Sequence, residues 1–356
     1  MGYQFSWKEI PERNRGLTFD DVLLIPQLSQ VRSRRDPELS SRITRRVNVK
    51  TPIVSANMDT VTESAMAIGM QRLGAFGILH RFMSISDQAQ QVRLVREAGF
   101  NDVGASIGVN TDEKERAEEL VRAGANVLVI DIAHGHSVAM IETVKFLKDR
   151  FPSVDVIAGN VATPEATRDL IQAGADAVKV GIGPGSMCTT RVITGCGVPQ
   201  LTAIALCALA AEDTKTPIIA DGGIKTSGDI VKALAAGAST VMLGSMLSGT
   251  LETPGDIKSG QKQYRGMASK QAQISWRGGV PEGMAAEGEA TMVPVKGPVK
   301  DVILELCGGI RSGMSYVNAN EVYEIRERAR FIEMSQAGVS ESHAHGLWTY
   351  SGRRPL

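Results

Sequence analysis

The feature that most constrains this chain is a phrase that occurs four times. It reads Gly74-Ala75-Phe76-Gly77-Ile78-Leu79, Gly124-Ala125-Asn126-Val127-Leu128-Val129, Gly174-Ala175-Asp176-Ala177-Val178-Lys179 and Gly237-Ala238-Ser239-Thr240-Val241-Met242. Each copy follows a helix-like segment and runs into a short apolar stretch, the junction at which glycine stops a helix and a buried parallel strand begins. Four more apolar runs alternate with these: Pro52-Ile53-Val54-Ser55, Val103-Gly104-Ala105-Ser106-Ile107, Val156-Ile157-Ala158-Gly159 and Pro217-Ile218-Ile219-Ala220. The result is eight candidate strands, beginning near residues 52, 76, 103, 127, 155, 177, 217 and 240. Intervals of roughly 22 to 40 residues leave room for a helix between neighbours. Eight such units predict an α/β fold, one TIM (β/α)8 barrel over residues 1–356. A doubly wound open sheet is the alternative, but its glycine fingerprint near the first strand is missing.

Two segments break the rhythm. One follows the sixth strand, from Gly181 to about Pro199. The other, the flap, follows the eighth strand over about residues 251–298 and is polar, Gly-rich and poorly periodic. Long excursions at the C-terminal face of a barrel usually carry function. The charge-rich stretch Asp112–Arg122 reads as a solvated helix face, and residues 320–336 have the same character.

The first excursion contains Gly181-Ile182-Gly183-Pro184-Gly185-Ser186-Met187-Cys188-Thr189-Thr190-Arg191, a cysteine in a glycine-rich loop with hydroxyls and an arginine close by. Backbone N–H groups and a cation beside a thiol favour the thiolate, the form that attacks carbon. Strand seven ends in Asp221-Gly222-Gly223 and strand eight in Gly244-Ser245. Backbone N–H groups after these two strands commonly hold a phosphate, so a phosphorylated ligand is expected there. Asp131, Asn160 and Asn57-Met58-Asp59 fall at the ends of other strands on the same face. His134 and His136 lack the i, i+4 spacing of zinc ligands, and no cysteine or carboxylate pattern supports them.

Composition limits the partners. Lys+Arg and Asp+Glu are both 39, a formal net charge of zero, which argues against nucleic acid or an anionic membrane. No apolar run approaches the roughly 20 residues that span a bilayer. The start of the chain lacks a signal-peptide core. The four cysteines, 188, 196, 207 and 307, show neither metal-ligand spacing nor disulfide density, so a reducing cytoplasm is expected.

Taken together, the motifs resemble the IMP dehydrogenase/GMP reductase family. The resemblance runs from Leu17-Thr18-Phe19-Asp20-Asp21-Val22-Leu23-Leu24 to Glu341-Ser342-His343. It is most specific in the cysteine loop, Ala220-Asp221-Gly222-Gly223-Ile224, Met242-Leu243-Gly244-Ser245 and Tyr264-Arg265-Gly266-Met267. It implies a purine monophosphate substrate (GMP or IMP), a nicotinamide cofactor and a homotetramer. It implies Cys188 as the nucleophile at purine C2 and Thr190 as its catalytic neighbour. Asp221 would meet the ribose; Gly223, Gly244, Ser245 and Tyr264 the phosphate; Gly266 and Met267 the base; Met58, Ser186 and Gly222 complete the substrate site. Asp131, Asn160 and Arg191 would face the cofactor. The carbonyls of Gly183, Gly185 and Cys188 resemble a site for potassium or another monovalent cation, completed in many relatives by a neighbour's Glu-Ser-His tail.

Dehydrogenases of the family oxidise IMP with NAD and hydrolyse the adduct with an Arg-Tyr pair on the flap; reductases expel ammonia from GMP and accept hydride from NADPH. Between Met267 and Glu287 there is no Arg-Tyr dipeptide, and the only arginine is Arg277. The segment Gly266 to Gly297 matches reductase length, and Ala286-Glu287-Gly288 resembles the segment whose glutamate pairs with the threonine. The resemblance therefore implies an NADPH-dependent GMP reductase with Thr190 and Glu287 as proton relay to the departing ammonia; a positioned acid contributes roughly two to four orders of magnitude. Residues 84–99 lead directly into strand three, without the tandem CBS domains usual in dehydrogenases. Two features pull the other way: the ending Gly338 to His345 resembles a dehydrogenase tail, and Met284 and Ala286 stand where many reductases carry arginine and serine near the substrate. IMP dehydrogenase with NAD is thus the alternative. A non-catalytic purine nucleotide sensor and a flavin-binding phosphate barrel are the others.

Overall fold

The computed structural model describes residues 3–110 and 112–342. The closing part of the tail, including His343, lies outside them, so the implied Glu-Ser-His segment is described only at Glu341 and Ser342, at the end of a short helix, Gln336–Glu341.

Eight parallel strands close into a barrel: β1 Ile53–Ser55, β2 Phe76–Leu79, β3 Gly104–Ile107, β4 Val127–Asp131, β5 Asp155–Val161, β6 Ala177–Val180, β7 Ile218–Asp221 and β8 Thr240–Leu243. Each pairs with its sequence neighbours, and β8 closes on β1 with Val241 opposite Ile53. The helices between them are α1 Ser64–Arg72, α2 Ile85–Glu97, α3 Glu113–Ala123, α4 Val138–Arg150 and α5 Pro164–Ala173. A one-turn helix, α6 Thr190–Thr194, sits inside the cysteine excursion before α7 Gln200–Ala210 and α8 Ser227–Ala235. The eight strands begin within a residue of the positions expected from the sequence.

The repeated phrase has a common physical form. In all four copies the glycine has positive φ: +70° at Gly74, +111° at Gly124 and Gly174, +108° at Gly237. Each glycine N–H donates to the carbonyl three residues back, and the following alanine N–H to the carbonyl five back, as in Ala125 to Leu120 (2.9 Å) and Ala175 to Leu170 (3.0 Å). These are the two bonds of a Schellman cap. The four alanines are buried, so a small side chain lets the chain turn under the helix and enter the wall.

Val54, Phe76, Ile78, Val127, Val129, Ile157, Ala177, Ile219 and Met242 fill the barrel interior, and Ile43, Val47 and Val49 plug its N-terminal end. The interior is therefore a packed core, and the chemistry lies above it, at the C-terminal ends of the strands.

Two expectations are corrected. The Asp112–Arg122 helix is not solvated all round: Glu113, Arg116, Ala117 and Leu120 are buried. Glu113 accepts from Gly108 N (2.7 Å), and Arg116 donates to Gln88 Oε1 (2.8 Å), so charge on this face is structural. In the 320–336 stretch, Val322, Ile325 and Phe331 are buried, and Phe331–Glu333 pairs antiparallel with Val22–Leu24. The flap contains regular structure. Strands β9 Gln261–Arg265 and β10 Ala290–Pro294 form an antiparallel hairpin, with helix α9 Lys270–Arg277 in the connection. The last barrel helix, α10 Val299–Tyr316, follows. Among the described residues no helix is long and apolar enough to cross a membrane.

Candidate active site

The loop after β6 lies against the end of β7: a Cβ at Gly181 would stand 2.1 Å from Asp221 O. Under the loop, Arg191 donates from Nε to Ile182 O (3.0 Å) and from Nη2 to Val198 O (2.6 Å). A Cβ at Gly183 would meet the Arg191 side chain at 2.6 Å. Arg191, expected at the cofactor, is thus placed as a brace for its own loop. Cys188 N donates to Gly185 O (3.0 Å), which leaves that carbonyl one free lone pair. A monovalent cation at the Gly183, Gly185 and Cys188 carbonyls would need further ligands from elsewhere to fill a coordination shell.

Cys188 is partly exposed. Its Sγ–H donates to Thr190 Oγ1 (3.1 Å), and Thr190 Oγ1 donates to Glu287 Oε2 (2.7 Å). Thr190 opens α6, whereas Glu287 lies nearly a hundred residues later on the flap. Backbone pairing joins them. Cys188 and Gly288 form an antiparallel bridge, Glu289 N donates to Met187 O (2.9 Å), and Thr189 N to Glu287 O (3.4 Å). The flap segment lies strand-like on the cysteine loop, and that register sets the carboxylate over the threonine.

A cavity of about 220 Å³ opens beside this relay. Cys188, Thr190 and Glu287 line it, together with Met58, Asn160, Gly183, Gly185, Ser186, Asp221, Gly222, Gly223, Gly244, Ser245, Tyr264, Gly266 and Met267. Of the residues implied as catalytic, substrate, cofactor or cation contacts, Asp131 and Arg191 alone stand outside its lining. Met58, Met187, Met242 and Met267 supply an adaptable, polarizable apolar wall suited to a flat ring. Gly222 and Gly223 have φ of +92° and +82°. A Cβ at Gly244 would approach the Tyr264 hydroxyl at 2.9 Å, so bare backbone is required there. Burial raises the pKa of Tyr264 despite the Ser186 and Ser245 hydroxyls beside it, keeping it a neutral hydrogen-bond donor. Backbone N–H groups, two serines and a neutral tyrosine suit an anion. A larger hollow, about 610 Å³, lies at the opposite end of the barrel among Arg42, Lys215, Ser239 and Arg326, far from the relay.

Two linkages were not apparent in the sequence. Lys179 on β6 is 2% exposed, and its Nζ reaches Asp131 Oδ1 and Asp221 Oδ2, each at 2.7 Å, and Asn160 Oδ1. Burial opposes charge on both Asp131 and Lys179. Their mutual attraction, with Asp221 on the lysine side, outweighs it, so the Asp131 pKa is lowered and the Lys179 pKa raised. Asn160 donates to Gly181 O (2.8 Å) and Asp221 Oδ2 (2.9 Å), so its amide orients the carboxylate. The second linkage fastens the flap. Arg265 pairs with Asp59 (2.5 Å), each side chain 12% exposed, and donates from Nη1 to Ser275 Oγ (2.9 Å). Trp276 packs edge-on against Phe82, with ring centroids 5.2 Å apart. A lysine in an apolar strand and a carboxylate just past β1 were the available signals. Away from the relay, His136 Nε2 is 2.8 Å from Asp169 Oδ2.

A family model described as the IMP dehydrogenase / GMP reductase domain matches residues 16–345. An inosine-5′-monophosphate dehydrogenase from Cryptosporidium parvum is 43% identical, over 94% of this chain and 96% of its own. A GMP reductase from Leishmania major is 37% identical, over 95% and 98%. Among solved structures, a GMP reductase variant from Trypanosoma brucei in complex with guanosine 5′-monophosphate has a TM-score of 0.88 at 36% identity, covering 94% of this chain and 98% of that one. The Leishmania reductase aligns over 488 residues and the Cryptosporidium dehydrogenase over 386. Chain length therefore does not separate the two chemistries, and the missing internal insert carries no weight for a reductase.

Proposed function

The chain belongs to the IMP dehydrogenase/GMP reductase family, nicotinamide-dependent oxidoreductases of purine nucleotides, and within it we propose that this protein is a GMP reductase, converting GMP to IMP and ammonia with NADPH. The observation that carries this reading is the Cys188–Thr190–Glu287 chain, with spacings of 3.1 and 2.7 Å.

The thiol proton passes through the Thr190 hydroxyl to the Glu287 carboxylate, leaving a thiolate to attack purine C2. An amino group leaves poorly unless protonated. Protonated Glu287 returns the same proton through Thr190 to the exocyclic nitrogen. The C2–N bond breaks as the Sγ–C2 bond is kept, and the thiol's proton departs on ammonia. A hydroxyl suits the middle position because it accepts and donates at once. NADPH, when bound, supplies the hydride that replaces sulfur at C2. Asp131, its Oδ1 held by Lys179 and 24% of its side chain exposed beside the cavity, presents the carboxylate that would meet a cofactor hydroxyl; Asn160 donates to Gly181 O and Asp221, and Arg191 to Ile182 O and Val198 O.

The dehydrogenase chemistry needs a water activated on the flap. Here the one arginine between Met267 and Glu287, Arg277, lies over the Trp276 ring at 4.0 Å and has no tyrosine next to it. A homotetramer, a monovalent cation at the Gly183, Gly185 and Cys188 carbonyls, and a cytoplasmic site of action accompany the proposal. The test is nicotinamide absorbance under two conditions. Consumption of NADPH with GMP, accompanied by ammonia, supports the reductase. Formation of NADH from IMP and NAD, with no turnover of GMP, overturns it.

A further inference from the structure

The ends of β4, β5, β6 and β7 carry Asp131, Asn160, Lys179 and Asp221 side by side, and Lys179 touches the other three. It is the only cation among them. Its ammonium sits beneath the cavity, whereas Asp131 and Asp221 each keep a partly open face, 24% and 22% exposed. Asp221 lines the cavity on the Gly222-Gly223 side; Asp131 lies two residues before Ala133, which lines it from the other flank. The strand places this lysine tightly: a Cβ at Gly159 would stand 2.6 Å from Lys179 Cβ. An ion pair this deep adds little net stability over an apolar replacement, but removing one partner leaves uncompensated charge. Its use is therefore sought in position.

We propose that Lys179 is a positioning residue that binds the two carboxylates into one unit, holding Asp221 toward the nucleotide ribose and Asp131 toward the cofactor. This rests on the reading of the site given above, in which Asp221 and Asp131 serve different ligands. One ammonium holding both carboxylates ties the geometry of each half-site to the other. Other charged or titratable groups approach from the β2 loop (Arg81, acting on Asp131) and from the flap (Tyr264, close to Asp221). Neither bridges the two acids. Asn57, from the end of β1, hydrogen-bonds Asp131 without adding charge.

The experiment compares the unaltered protein with Lys179→Met, Asp131→Asn and the double variant Lys179→Met/Asp131→Asn. GMP and IMP binding are read by calorimetry, and KM and kcat for GMP and NADPH by absorbance. Lys179→Met, which leaves two carboxylates unneutralised, should weaken both the nucleotide and the cofactor by about tenfold or more. It should act on both KM values more than on kcat. The double variant restores the net charge of the cluster but still lacks the tie to Asp221, so its nucleotide affinity should lie about as far below Asp131→Asn as Lys179→Met lies below the unaltered protein. A lysine that only balances charge predicts instead a double variant whose nucleotide affinity returns to within about threefold of Asp131→Asn. That result overturns the proposal, even if Lys179→Met alone does not fold. Unchanged KM for either ligand in Lys179→Met, or a loss confined to kcat, overturns it too. Absence of any purine monophosphate binding by the unaltered protein would remove the functional reading itself and this inference with it.

Discussion

Cys188 and Glu287 reach the same threonine from regions held in different ways. The cysteine loop grows directly from β6 and is braced from below by Arg191 and alongside by the Asn160–Asp221–Lys179 cluster, all of it on or next to barrel strands. Glu287 belongs to a hairpin outside the barrel. That hairpin is fastened at its base by Lys262, whose Nζ donates to the carbonyls of Thr250, Leu251 and Thr253, and along its length by Arg265–Asp59 and Trp276–Phe82. The proposed nucleophile is fixed by the fold, whereas the proposed acid arrives by docking. On that proposal a docked acid could be withdrawn between turnovers without disturbing the barrel, which would suit a site that admits a nucleotide and lets ammonia leave.

This contrast makes its largest prediction at the fixed end. Cys188→Ala should bind GMP within about threefold of the unaltered protein yet lose turnover by at least about 10⁴-fold, because no other group supplies the covalent bond. Calorimetry against single-turnover ammonia release separates the two effects. Retained turnover would remove Cys188 as nucleophile and the comparison with it.

At the docked end, Glu287→Gln keeps the shape and the antiparallel register but ends proton return through Thr190. Ammonia release from bound GMP should fall by about 10² to 10⁴, with binding nearly unchanged. Weaker binding with unaltered chemistry on bound substrate would make Glu287 a reader of the base, and the flap a specificity element.

The fastening of the flap is testable without touching the relay. Arg265→Met leaves Asp59 largely buried and unpaired, a loss of about 3 to 5 kcal/mol when fully buried and less at 12% exposure. The barrel's share in this pair is Asp59 alone, four residues past the end of β1. Proteolysis should therefore cut residues 266–289 much faster while the melting temperature of the whole protein changes little. The KM for GMP should rise about tenfold, since Tyr264 and Gly266 flank the altered residue. A lowered melting temperature with no added flap cleavage would show the flap and barrel to be one cooperative unit.

How much of this was readable beforehand follows the same division. The barrel was legible because helix stops repeat: four glycines in the left-handed region, each followed by a buried alanine, announce the strands. The relay was legible only through resemblance, as nothing in the spacing of Thr190 and Glu287 links two residues joined by a bridge between separate excursions. The flap hairpin was hidden because one of its two inward positions is Lys262, not an apolar residue; alternation in Gln261-Lys262-Gln263-Tyr264-Arg265 is real in burial and invisible in hydropathy. Lys179 was hidden for the opposite reason, one charge within an apolar run, where strand and site share residues. The bracing of the loop by Arg191 was not legible, because nothing in the sequence shows that the Ile182 and Val198 carbonyls turn toward the guanidinium.

The smallest effect divides the two regions by pH. Cys207 on α7 is fully buried against α5, and burial pushes its thiol up to about 12 from 9.0. An acid whose folded pKa is raised stabilises the fold fully below the unfolded value and loses that contribution as pH climbs toward the folded one. From about pH 9 upward the barrel should lose roughly 1.4 kcal/mol per pH unit through this group alone. Cys207→Ala is less stable at neutral pH for want of packing, but the gap between variant and parent should narrow as pH rises from 9 to 10.5. Melting followed by far-UV circular dichroism reads the barrel, while flap cleavage at the same pH reads the hairpin, which contains no cysteine. If the gap in melting temperature stays constant across that range, the thiol does not set the alkaline limb. If flap cleavage follows the Cys207 gap, the hairpin takes its stability from the barrel as well as from its own fastenings.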